Sequence, residues 1–448
     1  MLLPGLARGE ELLHAGPMHA WTELRSTAIW VQTARAAEVQ LRYFPAATPA
    51  AARLTPAIAT VAAQDYIATF VLSGLEPATE YRYELYIDGT IVERPYPLAF
   101  TTQPLWQWRA PAPDFEAMFG SCLYVNEGPY DRPGTPYGSE HQILAAMAAR
   151  RPDLMVWLGD NLYFRESDFF SPAGLAARYR HDRALPELQP FLAATSHYAT
   201  WDDHDYGPNN SDATYPLKAT SLELFGRYWP ALTYGTPETP GVFHTVSWGD
   251  VDFFLLDDRW HRKPNDWPSG ADKTMLGRAQ MEWLKAGLLS SNAVFKVIAN
   301  GNQVLNANSR HETMTDFSDT EEILAWIARN RIDGVLFLSG DRHHSELIRV
   351  QRPGAYPLYD FTSSSITAGV HVMGPDDPEF RNPLRVDGTL LMEHSFGIVR
   401  VTGPRNGRRV TLQACGVDGA VRWERMIAPG ELSFPPAARQ RKPGDPAP

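Results

Sequence analysis

Three apolar, β-like runs in this 448-residue chain stop abruptly in acidic, amide or imidazole side chains. Leu154–Leu158 leads into Gly159-Asp160-Asn161, residues 198–201 into Asp202-Asp203-His204-Asp205, and residues 335–338 into Ser339-Gly340-Asp341-Arg342-His343-His344. Such ends make poor core and good cation ligands: hard ions take carboxylate oxygen, and borderline ions accept imidazole nitrogen. One such end is an ordinary polar loop after a strand. Three in one chain predict a shared rim on which ligands from distant sequence converge. In layered α/β folds, sites lie beyond the carboxyl ends of strands, where all three motifs fall.

The rest of the chain fits such a fold. A length of 448 residues makes two domains the default, and 44% hydrophobic with 11% aromatic residues is ample for buried cores. Residues 13–103 read as all-β: Ala28-Ile29-Trp30-Val31-Gln32-Thr33, Val39-Gln40-Leu41-Arg42-Tyr43-Phe44 and Tyr81-Arg82-Tyr83-Glu84-Leu85-Tyr86-Ile87 alternate apolar and polar, and Asp88-Gly89 is a hairpin turn signal. Their spacing predicts a small sandwich of fibronectin or immunoglobulin type, structural in role and without the cysteine pair of a true immunoglobulin domain. Pro104, Pro111 and Pro113 mark 104–114 as a linker. From 115 to 438 strands and helices alternate. Helices are predicted from a Ser139 cap to Arg150, near 276–289, and after Ser318 or Asp319, each ahead of a strand. Such alternation predicts a layered sheet with helices outside. The basic, proline-rich residues 439–448 read as a disordered tail.

The net charge of −11 argues against a nucleic-acid-binding surface. It would also repel a phosphorylated substrate, unless bound cations reverse the local sign. No segment reaches the ~18 apolar residues of a membrane span. Residues 1–11 lack the sustained apolar core of a signal peptide, which by sequence suggests a cytoplasmic address.

Adjacency and spacing assign first roles. On an extended segment Asp203 and His204 would point to opposite sides, one toward a metal and one toward substrate. Asp341 and His343 would share a side, with His344 facing away. Asp160 can bridge two metals through its two oxygens, while Asp205 positions its neighbours. Cys122 ends a further apolar segment, 115–119, and suits a thiolate ligand, although a free cysteine also serves as a small buried hydrophobe. Tyr163 and Tyr179 are alternative phenolate ligands, or simply packed rings. Asn302 and Gln303 follow a strand at 294–298 and offer amides to a metal or a phosphoryl group. Asp257 or Asp258 supports the site from behind or belongs to a plain loop. His181, His244, His261 and His311 lack metal-ligand spacing. His311-Glu312 would rim a substrate pocket, and residues 208–212 would form an ordered loop beside it.

The ordered set Phe119-Gly120-Ser121-Cys122, Gly159-Asp160-Asn161-Leu162-Tyr163, Trp201-Asp202-Asp203-His204-Asp205, Gly301-Asn302-Gln303-Val304 and Ser339-Gly340-Asp341-Arg342-His343 resembles the PhoD-type alkaline phosphatases, a branch of the calcineurin-like metallophosphoesterases. It spans roughly half the chain. The resemblance implies a four-layer α-β-β-α sandwich behind the small all-β domain, Cys122 as an iron ligand, the residue matching Asp203 as a metal ligand, and His204 as proton donor to the leaving oxygen. Commoner relatives use histidine near 302–303; the amides fit the PhoD branch. It also implies export, which leaves the cellular address open.

The expectation is therefore a metal-dependent phosphoric ester hydrolase, alkaline phosphatase D-like, in which a metal-activated hydroxide attacks phosphorus in line. A phospholipase D-like or teichoic-acid-type phosphodiesterase is the runner-up. A non-catalytic ligand-binding protein is the reading of another class, against which the intact Asp160, Asp203, His204, Asp341 and His343 set stands. The expected site has His204 as catalytic acid; Cys122, Asp160, Tyr163, Asp203, Asp341 and His343 as metal ligands; and Asn161, Asn302 and Gln303 as substrate contacts. Soft sulfur beside hard carboxylates predicts iron (Fe3+) with calcium (Ca2+), other divalent ions remaining open. The partner is a small phosphate ester or diester; oligomeric state is not readable.

Overall fold

The computed structural model describes residues 11–308, 313–428 and 430–435. The expected tail at 439–448 and the expected rim residues His311 and Glu312 lie outside the described residues.

Two six-stranded sheets form the main body. The first runs Ser196–Thr200, Leu154–Leu158, Phe115–Gly120, Ser395–Thr402, Arg409–Gly416, Val421–Ile427, its first three strands parallel. The second runs His244–Trp248, Val251–Leu255, Phe295–Asn300, Val335–Ser339, Leu358–Thr362, Glu346–Val350, with the four middle strands parallel. Parallel strands covered on both faces read as unbroken apolar runs, and Leu154–Leu158 and Val335–Ser339 are buried at every position. The sheets meet through Phe119, edge-on to Phe361 at 4.8 Å, and Phe361 also packs on Trp423 at 4.6 Å.

Helices close both outer faces. Gln189–Ala194 sets Phe191 against Trp157 of the first sheet, ring centres 6.1 Å apart. Gly277–Ser290 lies so close to the second sheet that a Cβ on Gly287 would sit 2.6 Å from the Phe254 ring. The result is mixed α/β, helix on sheet on sheet on helix. The three expected helices are present at Gln142–Arg150, Gly277–Ser290 and Ser318–Asn330. Ser139 does not cap the first: His141 holds that position, and the Ser139 hydroxyl donates to the carbonyl of Glu140. Of the two residues expected to open the third helix, Ser318 is its first residue, and Asp319 accepts the amides of Met275 and Leu276 and so holds the start of the neighbouring helix.

Ahead of these layers stand a three-stranded sheet, Leu13–Thr22, Ser26–Thr33 and Ile67–Ser73, and a second built on Glu38–Pro45 and Glu80–Ile87. Ile29, Val31, Leu41 and Leu85 belong to a core cluster of their own, while Met18, Trp21 and Trp30 join the main one. Leu13–Thr22 is therefore buried on both faces. Gly16 donates to Gln189 at 2.7 Å, and the Trp30 indole donates to the carbonyl of Arg227 at 3.0 Å.

Candidate metal centre and active site

The candidate ligands sit on loops just past parallel strand ends, and backbone bonds tie those loops together. Leu123 donates to the Asp160 carbonyl at 2.8 Å, Gly340 to Gly301 at 2.8 Å, and Phe164 to His204 at 3.2 Å. Close approach demands glycine at one point: Gly159 has φ +87°, and a Cβ there would lie 2.5 Å from the backbone nitrogen of Asp202. Strain concentrates at the same place. Cys122, Asp160, Asp341 and His343 carry φ of 62°, 51°, 67° and 57°, a left-handed region costing non-glycine residues roughly 1–3 kcal/mol each.

Two donor groups overlap at Asp160. Cys122, Asp160 and His343 offer ligand atoms within 4.8 Å of one another, and so do Asp160, Asp203 and His204. The two oxygens of Asp160 face different neighbours. Oδ2 accepts from the Tyr163 hydroxyl at 2.9 Å and lies 3.5 Å from Cys122 Sγ, whereas Oδ1 accepts the His204 amide at 3.2 Å. The Tyr163 hydroxyl is also 3.3 Å from His343 Nε2. Tyr179, the alternative phenol, is stacked on Tyr228 at 4.7 Å instead, its buried hydroxyl without a hydrogen-bond partner.

The expected strand alternation is not how the side chains are aimed. Asp203–Tyr206 is a helical turn with a capping box made by Asp202 and Asp205, and Asp341 and His343 sit in left-handed turns. Asp341 falls in neither close donor group and is partly exposed, but its charge reaches Cys122 and Asp160. His344 is buried, its Nδ1 2.9 Å from the Arg342 carbonyl and its Nε2 3.4 Å from Glu346.

Asp205 joins two of the ligand loops. Its Oδ2 accepts from the Asn161 amide at 3.1 Å and from Asn161 Nδ2 at 2.6 Å, while its Oδ1 accepts the Asp202 amide at 2.7 Å. Asn161 thereby spends its nitrogen on the scaffold and keeps a buried Oδ1 without a partner. Asn302 and Gln303, expected substrate contacts, are fully buried behind the rim. Asn302 accepts from Arg262 at 2.8 Å and donates to Asp202, and Gln303 bonds Glu346, Thr362 and Asn306, each at 2.8 Å. Asp258 accepts the Asn302 amide at 3.0 Å, and Arg259 forms a buried ion pair with Asp202. His181 pairs with Asp182, His244 bonds the Val242 carbonyl, and His261 packs beneath Gly277.

Electrostatics argue for a cation. Burial, then the charges of Asp203 and Cys122, lifts the Asp160 carboxyl well above its usual range. Burial pushes the Cys122 thiol up to about 11, against hydrogen bonds to Ser121 and Ser364, and lifts Asp205 to about 8. Burial also opposes charge on Asp203, but His204 and Arg259 outweigh it and hold that carboxyl low. A dry cluster of carboxylates and a thiol keeps protons that a metal ion would replace. Asp203 Oδ1 and His204 Nδ1 are buried with no hydrogen-bond partner, an arrangement otherwise costly for polar atoms. The donor set therefore fits metal ions.

A cleft of about 570 Å3 opens beside this centre, walled by Tyr124, Tyr137, Tyr163, Phe164, Phe169, Arg165 and His204. Tyr124, Tyr137 and Arg165 were not singled out from the sequence: Tyr137 falls in residues 126–139, rich in proline and glycine and without a periodic signal, while Tyr124 and Arg165 lie just past the ends of the motifs around Cys122 and Tyr163.

A model of the PhoD-like phosphatases matches residues 133–383, more than half of the chain. The chain belongs to the PhoD-like phosphatase family. The matched span starts beyond Cys122, while residues 10–105 match a second model, a domain of unknown function (DUF7800). Alkaline phosphatase D of Bacillus subtilis (strain 168) is 25% identical over 290 residues, covering 53% of this chain and 47% of that protein. The chain thus spans about half the length of this relative. A solved structure of PhoD superposes with a TM-score of 0.73 at 17% identity, over 97% of this chain and 93% of the other. Purple acid phosphatase PPD1 from yellow lupin (Lupinus luteus) seeds gives 0.64 at 12% identity, over 95% and 77%. Both likenesses bear out the expected fold class. Among the described residues no helix is long and apolar enough to cross a membrane.

Proposed function

We propose that this protein is a metal-dependent phosphoric ester hydrolase. The observation that carries the reading is the sharing of Asp160 by two close donor groups, one with sulfur and imidazole, the other with carboxylate and imidazole. Cys122, Tyr163 and His343 beside Asp160 offer the donors an iron ion takes; Asp203 with the shared Asp160 offers hard oxygen for calcium, with Asp341 at the margin. Bound cations supply Lewis-acid stabilisation of the phosphoryl charge and an acidified water.

The chain's own residues do the rest. His204 lines the cleft and hands a proton to the departing oxygen, the general-acid step. Tyr163, its ring 4.2 Å from the His204 imidazole, keeps that ring in place. Asp205 and Asn161 lock the Asp160 loop to the Asp203 turn, and the Asp202–Arg259 pair anchors that turn from behind. Residues 13–103 are structural in this scheme, and all chemistry lies beyond 115. The cleft volume of about 570 Å3 exceeds what a phosphoryl group needs, so diesters are included in the proposal alongside monoesters.

The test is metal analysis together with turnover of a chromogenic phosphomonoester and a phosphodiester, before and after chelation and reloading. Bound iron with calcium, and turnover lost and regained with them, is the expected result. Full turnover in stripped protein would overturn the proposal; zinc as the sole bound ion would overturn the metal assignment.

A further inference from the structure

The wall of the cleft has a chemical character that the metal centre does not require. Tyr124, Tyr137 and Tyr163 form a box, with centroids 5.0 Å (Tyr124 to Tyr137), 5.1 Å (Tyr124 to Tyr163) and 6.2 Å (Tyr137 to Tyr163) apart. Phe164 and Phe169 continue it. Tyr137 is 47% exposed, so its ring is available to an incoming molecule, and its hydroxyl is 3.3 Å from His343 Nδ1, at the edge of the donor cluster. The volume of about 570 Å3 falls in the range that holds whole small molecules, well beyond a phosphoryl group. His204 lines the same cleft, so this space lies on the side from which the leaving oxygen departs.

The charges of the wall are matched within it. Arg165 donates to Asp131 at 2.8 Å and to the Val125 carbonyl at 2.8 Å, and its guanidinium caps the Tyr124 ring at 3.8 Å. Arg132 pairs with Glu166 at 3.2 Å on the rim. Two arginines against two carboxylates leave little net positive charge for a second phosphate or a polyanionic chain. An acyclic polyol offers hydroxyls and no flat face to five rings. A planar aromatic group offers a π-face to the exposed Tyr137 ring and an edge to the rings behind it.

We propose that this cleft is a leaving-group subsite selecting phosphate esters whose departing part is uncharged and aromatic, with Tyr137 as the specificity-determining ring. The proposal rests on the hydrolase reading above for its catalytic arm alone.

Two measurements test it on the full, metal-loaded chain. In the first, kcat/KM is compared for a naphthyl ester and a fluorinated alkyl ester whose leaving alcohols have matched acidity, with an oligomer of glycerol phosphate as the polyanionic case. The naphthyl ester should be favoured by about tenfold, the size of one good ring-stacking interaction, and the oligomer should be the poorest of the three. Tyr137→Ala should bring the naphthyl-to-alkyl ratio close to one, whereas Tyr137→Phe should keep it. A ratio that Tyr137→Ala leaves intact, or a preference for the oligomer, overturns the proposal. The second measurement is calorimetric binding of naphthyl phosphonate against an alkyl phosphonate of equal charge, which needs no turnover. Tighter naphthyl binding that is lost in Tyr137→Ala supports the subsite even if neither ester is hydrolysed. Equal binding of the two refutes it even if both are.

Discussion

Two clusters of polar side chains in this molecule draw on the same kinds of residue and do opposite things. On one side Asp160, Asp203, His204 and His343 crowd within ligand distance of each other or of Cys122, and Asp203 Oδ1 and His204 Nδ1 have no hydrogen-bond partner. On the other, Asn302, Gln303, Glu346 and Asp360 are buried and woven into the scaffold: Gln303 to Glu346, Glu346 to the half-buried Arg385 at 2.6 Å, Asp360 to the amides of Val304 and Leu305. The first group holds back acceptor atoms that a cation would satisfy. The second spends its own on the scaffold. Residue type alone does not separate the two groups; the unpartnered Asp203 Oδ1 and His204 Nδ1 beside the Asp160 carboxyl mark the first as the candidate metal centre.

The comparison is broken most severely at Asp160, the proposed shared ligand. Asp160→Asn should deplete both donor groups together and cost more activity than the ~10–100-fold that follows loss of a supporting outer residue. Elemental analysis beside turnover checks this, and retention of one metal at full occupancy would mean that Asp160 does not bridge the groups.

His204 comes next, because it lies in a donor group and also lines the cleft. As the acid, His204→Ala should leave the metals bound and slow the reaction roughly 10²–10⁴-fold. The deficit should shrink for nitrophenyl esters, whose leaving group departs without a proton. Equal slowing of nitrophenyl and alkyl esters, together with metal loss, would make His204 a ligand.

The saturated group should respond in stability instead. Gln303→Ala strands the partners Glu346 and Asn306, which should cost about 1–3 kcal/mol in a denaturant titration. Metal content should stay at the wild-type value, and a fall in it would bring Gln303 into the centre.

The smallest effect sharpens the contrast at a site that carries no metal donor. His197 is a buried imidazole whose Nδ1 accepts from the Trp157 indole at 3.1 Å and whose Nε2 faces the Phe191 carbonyl at 3.2 Å, a neutral ring with both nitrogens satisfied. Burial lowers its pKa to about 3. Because that lies below the unfolded value of about 6.5, the unfolded chain takes up the proton first. The stabilisation is complete above pH 6.5 and erodes as pH falls toward 3. At pH 5 the loss should be about 2 kcal/mol. Metal-free protein carrying His197→Gln should show a correspondingly flatter stability profile between pH 7 and 5, and an unchanged slope would remove His197 as its source.

Legibility in the sequence followed the range of the interaction. Leu154–Leu158 was readable to the residue, because a strand covered on both faces must be apolar throughout. Leu13–Thr22 was not recognised as a strand: Gly16 and Pro17 interrupt it, and its contacts with Gln189–Ala194 and Ser196–Thr200 explain why it is buried on both faces. The ligand loops were legible as sudden polar ends of apolar runs. Asn302 and Gln303 carry the same signal, and nothing local distinguishes an amide that faces a cleft from one held by Arg262 or Glu346.

By itself the sequence determined the layered α/β class, the all-β segment ahead of it, and the strand ends at which charged side chains gather, since these depend on periodicity and on the cost of burying polar groups. Tertiary structure alone decided that Cys122 and His343 meet across more than two hundred residues, that Tyr163 rather than Tyr179 turns its hydroxyl to Asp160, and that an aromatic cleft opens beside His204. Those outcomes rest on distances between chain segments and on which hydrogen bonds are already taken, and both exist only once the two sheets have packed.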